Sequence, residues 1–225
     1  MFVLQNTYDD ADMEDETVKK RVTAVLASLV VLREYMTVGV LASLMELEES
    51  AVIRTVQELR SILMCPGEIS RATLIRPLHL SFSDFLVDKK RCTNSAFCIN
   101  HRASNLEFAK ACLRTMIVGL RRNPCDLDDP NAFMGDIKDL ESLIKEHVPE
   151  HVRYACEHWT EHLAENEPTD DPVLRQLLED FCKEKLLPWI ELQSLMRSVD
   201  YARRALARVY SRVKVSVLLR CKIVY

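Results

Sequence analysis

Four glycines in 225 residues, Gly39, Gly67, Gly119 and Gly135, constrain this chain more than any other feature. Tight hairpins and phosphate-cradling loops draw on glycine, which reaches positive φ without steric cost. A chain this poor in glycine has little material for either. Leu, Ala, Glu, Arg and Lys, all good helix formers, are plentiful instead. Apolar residues recur at helical spacing: Val18, Val22, Val25, Leu26 and Leu29 in one stretch, then Leu106, Phe108, Ala109, Cys112, Leu113 and Met116 in another. The expected fold is all-α, with at most a small β wing near residues 66–78.

The charge pattern narrows the partners. A net charge of −4 gives the chain as a whole no polyanion-binding character. Its ends differ: Asp9 to Glu16 holds six acids and no base, whereas Tyr201 to Tyr225 holds seven bases and no acid. The eight cysteines form no Cys-x-x-Cys pair. No basic-then-apolar leader occurs, and no apolar run approaches membrane length. The expectation is a reduced, cytoplasmic chain without a membrane partner, its cysteines serving as small core residues.

The pattern divides into an acidic lead (1–15), a winged-helix domain (16–90), a connector (91–104), a helical domain (105–200) and a basic end (201–225). Thr17 to Glu34 reads as a helix, Thr37 caps a second, and a third runs from Ser50 to about Met64, which makes a helix-turn-helix core. Pro66-Gly67 stops the third helix. Ser70 to Leu78 reads as a wing strand, which Pro77 confines to an edge. The run Leu74-Ile-Arg-Pro-Leu-His79-Leu-Ser-Phe-Ser-Asp-Phe-Leu-Val-Asp88 then delivers a histidine and a short amphipathic helix. Ser81 is placed to cap that helix, with Phe82, Phe85 and Leu86 on one face.

This run resembles the winged-helix segment that follows the nucleotide-binding domain in fungal NACHT-type STAND NTPases, which include the heterokaryon-incompatibility proteins. Later stretches resemble the same NLR-like family in order: Cys112-Leu-Arg-Thr-Met, Leu120-Arg-Arg-Asn-Pro-Cys125-Asp-Leu, Tyr154-Ala-Cys-Glu-His-Trp159-Thr-Glu-His-Leu163 and Phe181-Cys-Lys-Glu-Lys-Leu-Leu-Pro-Trp-Ile-Glu-Leu192. Pro188 before Trp189 departs from the family pattern and should kink or break the helix there. The resemblance implies a regulatory relay that reports nucleotide state, with His79 as the residue that touches bound diphosphate when a NACHT domain is supplied in cis or in trans. It also implies a fragment or truncated relative, since the motor is missing.

No Gly-x4-Gly-Lys-Ser/Thr run is present, so nucleotide hydrolysis by this chain is not expected. The rival reading is a winged-helix nucleic-acid regulator. Residues 36–70 oppose it: Arg54 and Arg60 stand against Glu46, Glu48, Glu49, Glu58 and Glu68, a surface that repels phosphates. A more remote reading is a metal-dependent hydrolase. His158-Trp-Thr-Glu161-His162 fits a His-x-x-Glu-His pattern, and two imidazoles at i and i+4 share a helix face. Such a site needs a third ligand, for which Glu179 and Cys182 are available but unmarked. A packing helix built around Trp159 explains the same residues, with both histidines toward the surface. The expectation is therefore a non-enzymatic interaction module with no metal and no cofactor, whose partners are a NACHT domain and other proteins.

Overall fold

The computed structural model describes Leu4, Thr7, Tyr8 and residues 13–65, 67–130, 132–133, 135–164 and 171–212, with the side chains of residues 164 and 210–212 left aside. Asp9, Asp10 and Asp12 of the acidic lead, Pro66, and Lys214, Arg220, Cys221 and Lys222 of the basic end lie outside the described residues. The fold is mostly helical. The chain divides into two compact units, Met1–Ser104 and Asn105–Tyr225.

In the first unit, α1 spans Glu16–Val31, α2 Val38–Leu44, α3 Glu49–Glu58 and α4 Ser81–Val87. Asp15 caps α1 by accepting the N–H groups of Thr17 and Val18, and Thr37 caps α2 as its sequence position predicts. α1 packs against α3 and α4, and α2 against α3. Val25, Leu26, Leu41, Val52, Val56 and Leu86 are fully buried between them. The Ser83 hydroxyl donates to the Leu29 carbonyl at 2.7 Å and fixes α4 to the end of α1.

The expected β wing is not shown by the described residues, which hold two single bridges, Thr37 to Leu74 and Leu63 to Pro77, and no strand. Residues 73–78 still bond on both sides. Ile75 N–H donates to Met36 and Val38 N–H to Thr73, while Met64 N–H donates to Arg76 and Leu78 N–H to Ile62. Pro77 explains why the first pairing stops. Backbone groups alternate sides along an extended chain, so residue 77 would donate toward the Met36 side, and proline has no proton to give.

Helix ends show how the chain manages with so little glycine. After α2, Glu46 takes the left-handed conformation at φ 53°, and Leu47 N–H returns to the Ala42 carbonyl at 2.9 Å. This is the six-to-one bond of a Schellman ending, usually built on glycine. Arg197 does the same at φ 56°, with Ser198 N–H on the Gln193 carbonyl.

The second unit holds α5 (His101–Gly119, whose first turn contains the division between units), α6 (Leu140–His147), α7 (Glu150–Ala164), α8 (Pro172–Asp180), a π-helical turn (Phe181–Lys185), α9 (Leu186–Leu195) and α10 (Val199–Arg212). α10 packs against α7 and α9. The expected interruption at Pro188 takes the form of the π-helical turn, and the helix continues into α9. The proline ring crowds the carbonyl four residues back, which is Glu184, and that residue lies in the widened turn. Gly119 permits a close approach: a Cβ there would stand 2.8 Å from Cγ2 of Val152 on α7.

Asp171 caps α8 by accepting the Leu174 N–H at 2.8 Å, and it also takes a bond from Lys110 at 3.3 Å. The Leu174 N–H first, and then Lys110, hold its carboxyl below the usual range. Asp171→Ala is expected to remove about 1 kcal/mol at pH 7 by chemical denaturation. Because the folded-state pKa is depressed, the contribution is complete above the unfolded value near 3.8 and is lost as pH falls through the folded one. The gap between wild type and variant should therefore close below about pH 4.

Candidate functional site

His79 sits where the extended segment meets α4. Leu78 N–H is tied to the Ile62 carbonyl at 2.9 Å, so the next two residues are carried out at the end of the pairing. Ser81 is the first residue of α4 rather than its cap, a correction to the sequence expectation. The residue before it, Leu80, has helical φ and ψ and no side-chain acceptor. His79 supplies the acceptor instead: its Nδ1 takes the Ser81 N–H at 3.1 Å and lies 2.7 Å from the Ser81 hydroxyl. An Nδ1 that accepts from the backbone places the proton of the neutral ring on Nε2. The ring is exposed, so the Nε2–H donor faces solvent.

Its surroundings are apolar and open. Leu78 and Leu80, its two neighbours in the chain, are 57% and 70% exposed. Met64, Ser70, Ala72, Thr73, Leu74 and Arg76 line a shallow depression on the same segment. Isolated exposed leucines need no explanation, but two that flank one oriented donor make a surface suited to a partner.

The face formed by α3 and the turn before it is less suited to nucleic acid. α3 exposes Arg54 and Gln57, while Glu46 and Glu48 are exposed in the preceding turn. Glu58 is engaged by the Tyr8 hydroxyl at 2.6 Å and lies 3.9 Å from Arg21. Burial first, and then this carboxylate, push the Tyr8 phenol far above its usual range.

The His-x-x-Glu-His stretch on α7 does something the sequence did not reveal. His162 is fully buried, a correction to its expected surface position. Its Nδ1 lies 2.9 Å from Asn105 Oδ1, and its Nε2 lies 2.9 Å from the Tyr154 hydroxyl. Nδ1–H donates to the amide oxygen and Nε2 pairs with the phenol, so both ring nitrogens are engaged. Phe108 packs beside the ring at 5.5 Å. His158 packs on the Tyr154 ring at 4.7 Å, with its Nδ1 3.5 Å from Glu161. The nitrogens that a metal would need from His162 are therefore spent on helix packing. A residue two turns before His162 on the same helix, Tyr154, was the available clue; Asn105 lies 57 positions away and gave none.

Trp159 and Trp189 are buried as a packing pair. With Phe181 they form a cluster of ring centroids 5.1 to 5.9 Å apart. Trp189 Nε1–H and Gln193 Nε2–H both donate to the Cys156 carbonyl, at 3.0 and 2.8 Å. Cys112 and Cys156 are fully buried core residues, and burial pushes both thiols well up, so neither is a nucleophile. In the Leu120-to-Leu127 loop, Asn123 exchanges two bonds with Leu127 and donates its N–H to Glu191 at 3.1 Å.

No described helix is long and apolar enough to cross a membrane. Compared with protein-family models, with curated proteins and with solved structures, the chain finds no match.

Proposed function

We propose that the chain is a non-catalytic interaction module, a minimal winged helix followed by a helical relay of the kind found after the NACHT domain in fungal STAND proteins. The observation that carries the reading is His79. Its ring is oriented by Ser81, its Nε2–H faces outward, and exposed Leu78 and Leu80 frame it. An exposed donor in an apolar frame fits a surface that a second domain closes over. There Nε2–H would meet a phosphate oxygen, and the leucines would be buried with it. The partner is a nucleotide-binding domain supplied in cis or in trans, and the setting is cytoplasmic.

The winged-helix nucleic-acid reading is the alternative, and the acidic character of residues 36–70 speaks against it. Three measurements separate the two. The purified chain is expected to show no heat of binding with ATP or ADP at micromolar concentrations, no ATPase activity, and no shift of duplex DNA at physiological salt. Saturable nucleotide binding by the chain alone would overturn the non-catalytic reading. A duplex shift that weakens steeply with salt would favour the alternative.

A further inference from the structure

The segment that follows α4 turns back on itself between two cysteines. Cys92 N–H donates to the Asp88 carbonyl and Ile99 N–H to the Leu86 carbonyl, each at 2.8 Å. Two carbonyls only two residues apart at the end of α4 thus hold both ends of the 92–98 loop side by side. Asn94 makes the turn: its side-chain oxygen accepts the Ala96 N–H at 2.9 Å, and its carbonyl accepts the Phe97 N–H at 3.2 Å. Phe97 is buried against the Tyr8 ring and pins the loop from within. Both cysteines are free thiols, one at each of those held ends, and the Cys92 thiol lies 4.0 Å from the Asn94 carbonyl within the turn. Cys92 is buried, whereas Cys98 is partly exposed.

We propose that Cys92 and Cys98 are a modification site, a dithiol that closes reversibly to a disulfide when Cys98 meets a low-molecular-weight disulfide such as oxidised glutathione. Cys98 is the attacking sulfur because it is the accessible one. Burial first, and then its neighbour, push the Cys92 thiol up to about 11, which suits it to wait as the resolving group. The Cys98 thiol gives up its proton, and its sulfur attacks one sulfur of oxidised glutathione. A Cys98–glutathione disulfide forms and one glutathione leaves. Cys92 then loses its proton and displaces the second glutathione from Cys98. Two protein thiols become one disulfide, one oxidised glutathione becomes two reduced glutathiones, and these carry away the two protons. The pair operates whether or not a nucleotide-binding domain engages His79.

Trypsin releases both cysteines in one peptide, residues 92–102, because Arg91 precedes it and Arg102 ends it. The whole native chain would be exposed to oxidised glutathione, quenched with acid, alkylated, digested and weighed. The wild-type peptide is expected to lose two hydrogens, to resist alkylation and to recover both thiols on reduction. Cys92→Ser should stop at a single glutathione on Cys98, with Cys92→Ala as the substitute if serine perturbs the buried position. Cys98→Ser should leave Cys92 reduced and free of glutathione. Cys112 and Cys156, fully buried, should stay reduced throughout. Two free thiols after exposure, or a lasting glutathione adduct on the wild-type peptide, would overturn the assignment. So would equally fast modification of Cys112 and Cys156, since oxidation would then follow unfolding.

Discussion

Trp159→Ala is expected to destabilise the helical unit by about 3–5 kcal/mol, the largest single effect the structure implies. The indole is 1% exposed and packs on Phe181 at 5.1 Å and on Trp189 at 5.9 Å. These three rings come from α7, the π-helical turn and α9, so truncating one leaves a void between two others that helix geometry keeps from collapsing. Aromatic pairs at these separations add to the area term. Urea or guanidinium unfolding followed by far-ultraviolet circular dichroism would measure the loss. A midpoint indistinguishable from wild type would mean that the three rings do not form the core of that unit.

His162→Ala should be nearly as severe, about 3 kcal/mol, although the sequence marks this residue as a dispensable surface histidine. Removing the ring takes one hydrogen bond each from the buried Asn105 and Tyr154 and empties the space beside Phe108, losses of about 1–3 kcal/mol apiece. His158→Ala, at a partly exposed ring, should cost about 1 kcal/mol. A double-mutant cycle between His162 and Asn105 should show coupling of about 1 kcal/mol or more, since the two share one hydrogen bond. Additive effects, or a His162→Ala change within about 0.5 kcal/mol of wild type, would return His162 to the surface.

Legibility in the sequence followed the range of the interaction. Local signals served well: Thr37 as the cap of α2, the break between α2 and α3, and the packing helix built around Trp159. Each depends on neighbours within a turn or two of helix, which spacing exposes. The misses all came from distant or competing partners. His162 reads as polar and therefore outer until Asn105, 57 residues earlier, is brought against it. Ser81 reads as a cap because serine usually is one, but the His79 ring reaches the same N–H first. The wing reads as strand because Leu74 to Leu78 is apolar and extended. Its pairings end after one bridge each, at Thr37 and at Leu63, and a missing proline donor leaves no pattern that spacing can show. Glu46 and Arg197 in left-handed conformation are likewise invisible to a search for helix-ending glycine. At the candidate site, the position of His79 between the extended segment and α4 was legible, but its tautomer, its exposure and its exposed leucine neighbours were not.

The most direct test of the proposed function places the chain, wild type or His79→Ala, behind a compatible NACHT domain and follows release of bound ADP. The exposed His79 ring caps a short helix and fills no core, so the isolated variant should remain folded. A charge-assisted hydrogen bond from Nε2–H to a phosphate oxygen is worth about 1.5–3 kcal/mol, which corresponds to roughly tenfold or more in retention. The variant should lose ADP at least about tenfold faster than wild type while its helical content is unchanged. Equal ADP release from the two proteins, with both folded, would contradict the assignment of His79 as the residue that reports nucleotide state.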